Sequence, residues 1–181
     1  TKGFNGVVRA FSQYISGINK KVANELDYNA RRDLITSALK AVAMHMVQTR
    51  QPWLSYDEAE RIVNAHLPGQ GHSKSLMTAL LREGLLIEER VWCESDDEIC
   101  TAIQIGYERL SDYLCVQSLL DSHLAGTDPT SAFLKGGPLD HDALCGTWSR
   151  PGIHEALHIL IAERTGLELL DLVPSLRETH F

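Results

Sequence analysis

Apolar residues recur at intervals of three and four through the N-terminal part of the chain, the period of a helix with one buried face. Val7, Val8, Phe11, Tyr14, Ile15, Ile18 and Val22 form one such stripe and predict a helix from about Phe4 to Tyr28. Leu34, Ile35, Ala38, Leu39, Val42, Met46 and Val47 form a second, predicted over roughly Ala30 to Gln51 and stopped by Pro52. The link through Asp27-Tyr28-Asn29 is short, so the two helices are expected to pack antiparallel. Ser55 and Glu58 then make the capping-box pattern ahead of Ala59, Ile62 and Val63, and that helix runs out at Leu67-Pro68-Gly69. After a turn, Ser73 is expected to cap a helix through Leu76, Met77, Leu80 and Leu81, with Gly84 as its terminating glycine. Two short helices around a glycine-containing turn predict a helix-turn-helix. The period next changes to two. Leu85–Trp92 and Ile99–Ile105 read as strands around the polar turn Cys93–Glu98, a hairpin that would be the wing of a winged helix.

The pattern changes again within one stretch, Ile103 to Leu120. Ile103 and Ile105 flank polar Gln104 as in a strand; after Gly106, Leu110, Tyr113, Leu114, Gln117 and Leu120 follow helical spacing. Leu110, Tyr113 and Leu114 are expected to pack against Leu76, Leu80, Leu81 and Ile87, with Tyr107 and Asp112 left near the surface. Ala125-Gly126-Thr127-Asp128-Pro129 reads as a break, 130–149 as mixed short helical pieces, and Ile153 to Thr165 as a helix with Pro151 in its first turn and Gly166 beyond its end. Leu167 to Val173 continues as a short helix up to Pro174. The prediction is thus a mainly α protein: a helical arm over 1–52, a winged-helix domain with a β-hairpin wing over 53–124, and a trailing helical segment over 125–181.

At 44% hydrophobic and 23% charged residues the composition is that of a globular protein with a real core. No apolar run approaches the roughly 20 residues of a membrane helix. The chain opens Thr1-Lys2-Gly3-Phe4 without a starting Met, and is expected to be a piece of a longer one. Cys93, Cys100, Cys115 and Cys145 lack C-x-x-C spacing, so reduced thiols in a cytoplasmic protein are expected. The net charge of −7 is uneven: 1–52 nets +5, while 53–107 and 108–181 net −6 each. The basic helices thus complement the acidic remainder.

Three motifs bear on chemistry. His154-Glu155-Ala156-Leu157-His158 matches H-E-x-x-H, in which two histidines on one helical face hold Zn²⁺ and the glutamate acts as base. Its surroundings argue for a packing helix: Ile161 and Arg164 stand where the extended zinc motif has Gly and His, and the nearest glutamate for a third ligand is Glu178. A zinc peptidase using His154, Glu155 and His158 is therefore an alternative, and no metal is the expectation. Gly69–Ser75 imitates a phosphate loop, but Ser73 and Pro68 occupy the two places that need glycine and no strand precedes them. DNA reading is the usual winged-helix hypothesis. The helix after Ser73 offers only Lys74 and Arg82 and the wing turn is acidic, so packing against protein is expected and a DNA-binding regulator is the alternative.

Leu80-Leu81-Arg82-Glu83-Gly84-Leu85-Leu86, the hairpin, and Ile105-Gly106-Tyr107-Glu108-Arg109-Leu110-Ser111-Asp112-Tyr113-Leu114, taken together, resemble the winged-helix segment that follows the ATPase core of STAND-type NTPases, the NACHT group included. The likeness is strongest to large bacterial members of the antiviral (AVAST) kind, where a Tyr-Glu-Arg-Leu/Phe-Ser-Asp motif opens this helix. The run Gly152 to Leu169 is similar to their helical segment beyond the winged helix. The resemblance implies a parent that binds ATP with Mg²⁺, recognises a foreign molecule through C-terminal repeats, oligomerises and activates an effector. This chain would then be its non-enzymatic regulatory middle, with the ATPase core and sensor repeats of the same parent as partners and no cofactor of its own. Many relatives place a phosphate-contacting His where this chain has Tyr107, whose phenol can still donate a hydrogen bond. Tyr107 and Asp112 are the nucleotide-sensing residues the resemblance implies.

Overall fold

A computed structural model describes residues 2–93, 98–124, 126, 128–140 and 151–173, with the side chains of 2–8, 93 and 151 outside the description. The protein is mainly helical, with one small antiparallel sheet. It divides into two compact units, Thr1–Ser111 and Asp112–Phe181, a boundary inside the central helix that differs from the 1–52, 53–124 and 125–181 division expected.

The first unit begins with α1 (Lys2–Glu25) and α2 (Leu34–Thr49). Ile15, Ile18 and Val22 from the first stripe, and Leu26 just beyond α1, are buried with Ile35, Ala38, Leu39, Val42 and Met46 from the second. The elbow between them is not the continuous start of a helix expected from Ala30. Ala30–Arg32 is a single 3-10 turn capped by the Asn29 side chain, and Asp33 follows in the left-handed conformation (φ 47°). Buried Asn19 fixes this elbow: its Nδ2 donates to the Ala30 carbonyl at 2.7 Å, and its Oδ1 accepts from the Tyr28 hydroxyl at 2.8 Å. A buried amide with its partners in place specifies one geometry, because any other leaves it unsatisfied.

Strand β1 (Leu54–Ser55) leads directly into α3 (Tyr56–Asn64). The capping box forms as predicted, with Glu58 N–H donating to Ser55 Oγ and Ser55 N–H donating to Glu58 Oε2 at 3.3 Å. Helix α4 (Leu76–Arg82) starts two residues later than expected: His72–Lys74 is a 3-10 turn, and Ser75 rather than Ser73 is the cap, accepting from Thr78 N–H at 3.1 Å. Both serines suit the role chemically. Ser75 takes it because Asn64, at the end of α3, accepts from the Met77 N–H at 3.1 Å and sets where α4 begins. After α4, Gly84 (φ 68°) turns the chain, with Leu85 N–H donating to the Leu80 carbonyl and Gly84 N–H to that of Leu81, both at 3.0 Å.

Strands β2 (Leu86–Cys93) and β3 (Glu98–Ile105) form the wing hairpin, from Leu86 opposite Ile105 to Cys93 opposite Glu98. β3 also pairs with β1 on its other edge, Leu54 opposite Ile103, giving the order β1-β3-β2. Cys115 is a buried thiol outside any disulfide, whereas Cys100 is disulfide-bonded, against the expectation of reduced thiols. A search for C-x-x-C spacing is blind to cysteines that folding brings together.

Helix α5 (Glu108–His123) is buried around nearly its whole circumference from Leu110 to Leu120. The second unit continues with α6 (Pro129–Phe133), whose first turn Asp128 caps, then α7 (Pro151–Thr165) and α8 (Leu169–Leu172). Arg164 of α7 pairs with Asp121 of α5 at 2.7 Å.

Candidate relay site

The start of α5 is placed by backbone, not by side chains. Gly106 N–H donates to the Leu85 carbonyl at 2.9 Å, and a Cβ at Gly106 would fall 2.3 Å from the Gly84 carbonyl oxygen. Only glycine allows β3 to pass this close to the turn after α4. Tyr107 therefore leaves the sheet at a fixed point. It is 41% exposed and leans on α1: its hydroxyl lies 3.1 Å from that of Tyr14, with the rings edge-on at 5.7 Å and 87°. Phe11 lies beside it at 6.5 Å. The hydrogen bond with Tyr107 and partial burial hold the Tyr14 phenol above its ordinary pKa.

A charged cluster joins the same helix to the end of α4. Lys21 pairs with Glu83 at 2.8 Å, and the Arg82 guanidinium engages both carboxylate oxygens of Glu25. Lys21 lowers the Glu83 pKa first of all, and Glu25 raises that of Arg82. Such pairs are exposed and contribute little stability, but their alternating signs fix the register of α1 on α4. They also engage Arg82, one of the two cations counted on the expected recognition helix. Leu76, Met77, Ala79 and Leu80 of that helix are buried. The sequence signal for the cluster was the i,i+4 pair Lys21 and Glu25; neither Tyr14 nor Phe11 carries a signal beyond the apolar stripe.

Asp112 does not stay near the surface. It is 1% exposed, and a Cβ on Gly152 would fall 2.0 Å from its Oδ2, so its carboxylate lies against the first turn of α7. The positive end of that helix is a favourable environment for an anion, which accounts for a carboxylate in this position. Structure thus separates the two residues assigned to nucleotide sensing: Tyr107 is open, and Asp112 is packed inside the second unit.

His154 and His158 lie half-buried on α7, with Glu155 exposed between them. Among the described residues no group of three His, Cys, Asp or Glu is placed to hold a metal ion, and Glu178 lies outside the described residues. The segment 69–75 follows a helix and forms a turn and one 3-10 turn, without the wrapped backbone of a phosphate loop. Among the described residues no helix is long and apolar enough to cross a membrane. No family model matches this sequence, and neither a curated protein nor a solved structure matches it.

Proposed function

We propose that the chain is the regulatory winged-helix and helical region of a larger STAND-type ATPase. In this reading it relays nucleotide state and target recognition between an ATPase core and sensor repeats of the same parent, in cytoplasmic antiviral signalling. The observation that carries the reading is the setting of Tyr107. It is an open hydrogen-bonding side chain at a rigid strand-to-helix junction, and it touches a second element through Tyr14. A residue so placed can report contact with an outside group to α1 and α5 together. The pairing of Arg82 with Glu25 and Glu83 supports protein packing over DNA reading, because those charges are satisfied within the chain. The disulfide at Cys100 is the observation that stands against a reducing compartment.

The test uses the longer protein. It is expected to hydrolyse ATP, and Tyr107→Ala is expected to change its nucleotide-dependent sedimentation without changing the melting of the 181-residue chain. A longer protein without ATP binding would overturn the reading. So would ATP binding by the 181-residue chain itself at the micromolar level in calorimetry, since its Gly69–Ser75 segment does not cradle a triphosphate. Two further outcomes would replace it. Stoichiometric zinc lost in His154→Ala would favour a peptidase, and duplex-DNA binding at about 0.15 M salt tighter than the non-specific range of roughly 10⁻⁴–10⁻⁶ M would favour a DNA regulator.

A further inference from the structure

Helix α1 is held differently along its length. Its C-terminal half is anchored: Ile18, Asn19, Val22 and Ala23 are buried, Asn19 is hydrogen-bonded at the elbow, and Lys21 and Glu25 pair with α4. On the other side Ile15, next to Ser16, is buried, but between Arg9 and Tyr14 no residue is fully buried, and the described contacts of this stretch are those of Phe11 and Tyr14 with Tyr107. Between the two halves stand Ser16 and Gly17, both exposed. A side chain at Gly17 would meet no heavy atom within 4 Å, so packing does not require glycine there. Its remaining effect is to weaken the helix, by about 1 kcal/mol relative to alanine. Ser–Gly pairs are also among the recognised positions of helix kinks.

We propose that α1 is a hinged lever: it bends at Ser16–Gly17, and the Tyr14–Tyr107 hydrogen bond is the latch that holds its N-terminal half down. A group that takes the place of Tyr14 at the Tyr107 hydroxyl frees the lever, while the anchored half stays in place. The proposal stands on the geometry of α1 and holds whether or not the parent is an ATPase.

Amide hydrogen exchange on the 181-residue chain tests it, because exchange reads local opening segment by segment. Tyr107→Phe and Tyr14→Phe, which keep both rings, are each expected to speed exchange over residues 9–15 several-fold and leave 18–25 and α2 unchanged. Gly17→Ala is expected to slow exchange over 9–15 about fivefold, the counterpart of its helix preference. Having two independent phenylalanine variants guards against one that does not fold. Unchanged exchange over 9–15 in both, or an even rise from 9 to 25, would overturn the latch. The even rise would mean that α1 leaves as one rigid rod. No slowing in Gly17→Ala would overturn the hinge.

Discussion

Tyr107 and Asp112 stand five positions apart around the start of α5, and both are polar, yet one is open and the other is enclosed. Tyr107 precedes the first residue of α5, whereas Asp112 lies within the helix. Within the second unit the close approach of Gly152 encloses Asp112; within the first unit Tyr107 meets Phe11 and Tyr14 of α1. What a polar residue does at a helix start is decided by which element arrives beside it, and sequence polarity does not contain that information.

The contrast can be pressed by substitution, the largest effects being expected on the enclosed side. Leu114→Ala, at a buried α5 position, is expected to cost about 2–5 kcal/mol in denaturant unfolding. Asp112→Ala is expected to cost about 1–3 kcal/mol, since it removes a buried group from the start of α7. A value near zero would place the carboxylate outside the packed interior. Gly152→Ala is expected to cost a similar amount by overpacking, about 1–3 kcal/mol. Because the clash is with the Asp112 carboxylate, the Asp112→Ala/Gly152→Ala double variant should lose less than the two single losses together. Additivity would show that the two residues do not meet.

Smaller effects belong to the surface. Ser55→Ala breaks the capping box and should cost about 1 kcal/mol. The hydrogen bond from Ser55 holds the Glu58 carboxyl below its ordinary pKa. A lowered folded-state pKa means a contribution fully present above the ordinary carboxylate range and lost as pH falls through the depressed value. Acid titration of stability should therefore be flatter in Ser55→Ala than in the parent chain. Smallest of all, Tyr107→Phe is expected to stay within about 0.5 kcal/mol in global unfolding. A Tyr107→Phe loss matching that of Asp112→Ala would erase the distinction between the two residues.

Local chemistry was legible and distant chemistry was not. The Ser55–Glu58 box, the Gly84 turn and the hairpin each depend on residues within a few positions, and all formed as the sequence implied. The break at Asp33 was hidden because it is a left-handed non-glycine residue, stabilised by an elbow in which Asn19 takes part from 14 residues earlier in the sequence. Ser73 and Ser75 were equivalent as letters; the Asn64 side chain chose between them. Tyr14 and Tyr107 meet across 93 positions, and no periodicity within either helix predicts a partner on the other. The same holds for Asp112 and Gly152, which the sequence places in separate helices with nothing to align them.

The two-residue strand β1 carries a consequence for the order in which the first unit folds. Leu54 pairs with Ile103 across a loop that spans α3, α4 and most of the wing, whereas β2 ends at Cys93 and β3 begins at Glu98, close by in sequence. Contacts that close long loops are slow to form, and a pairing of two residues offers little to offset the entropy of closing one. The hairpin and the two helical turns should thus assemble first, from local contacts, and β1 should dock last onto an edge already made. In refolding experiments the edge of β3 would then stay open for the longest time, and an open strand edge is the place where two unfinished copies can join.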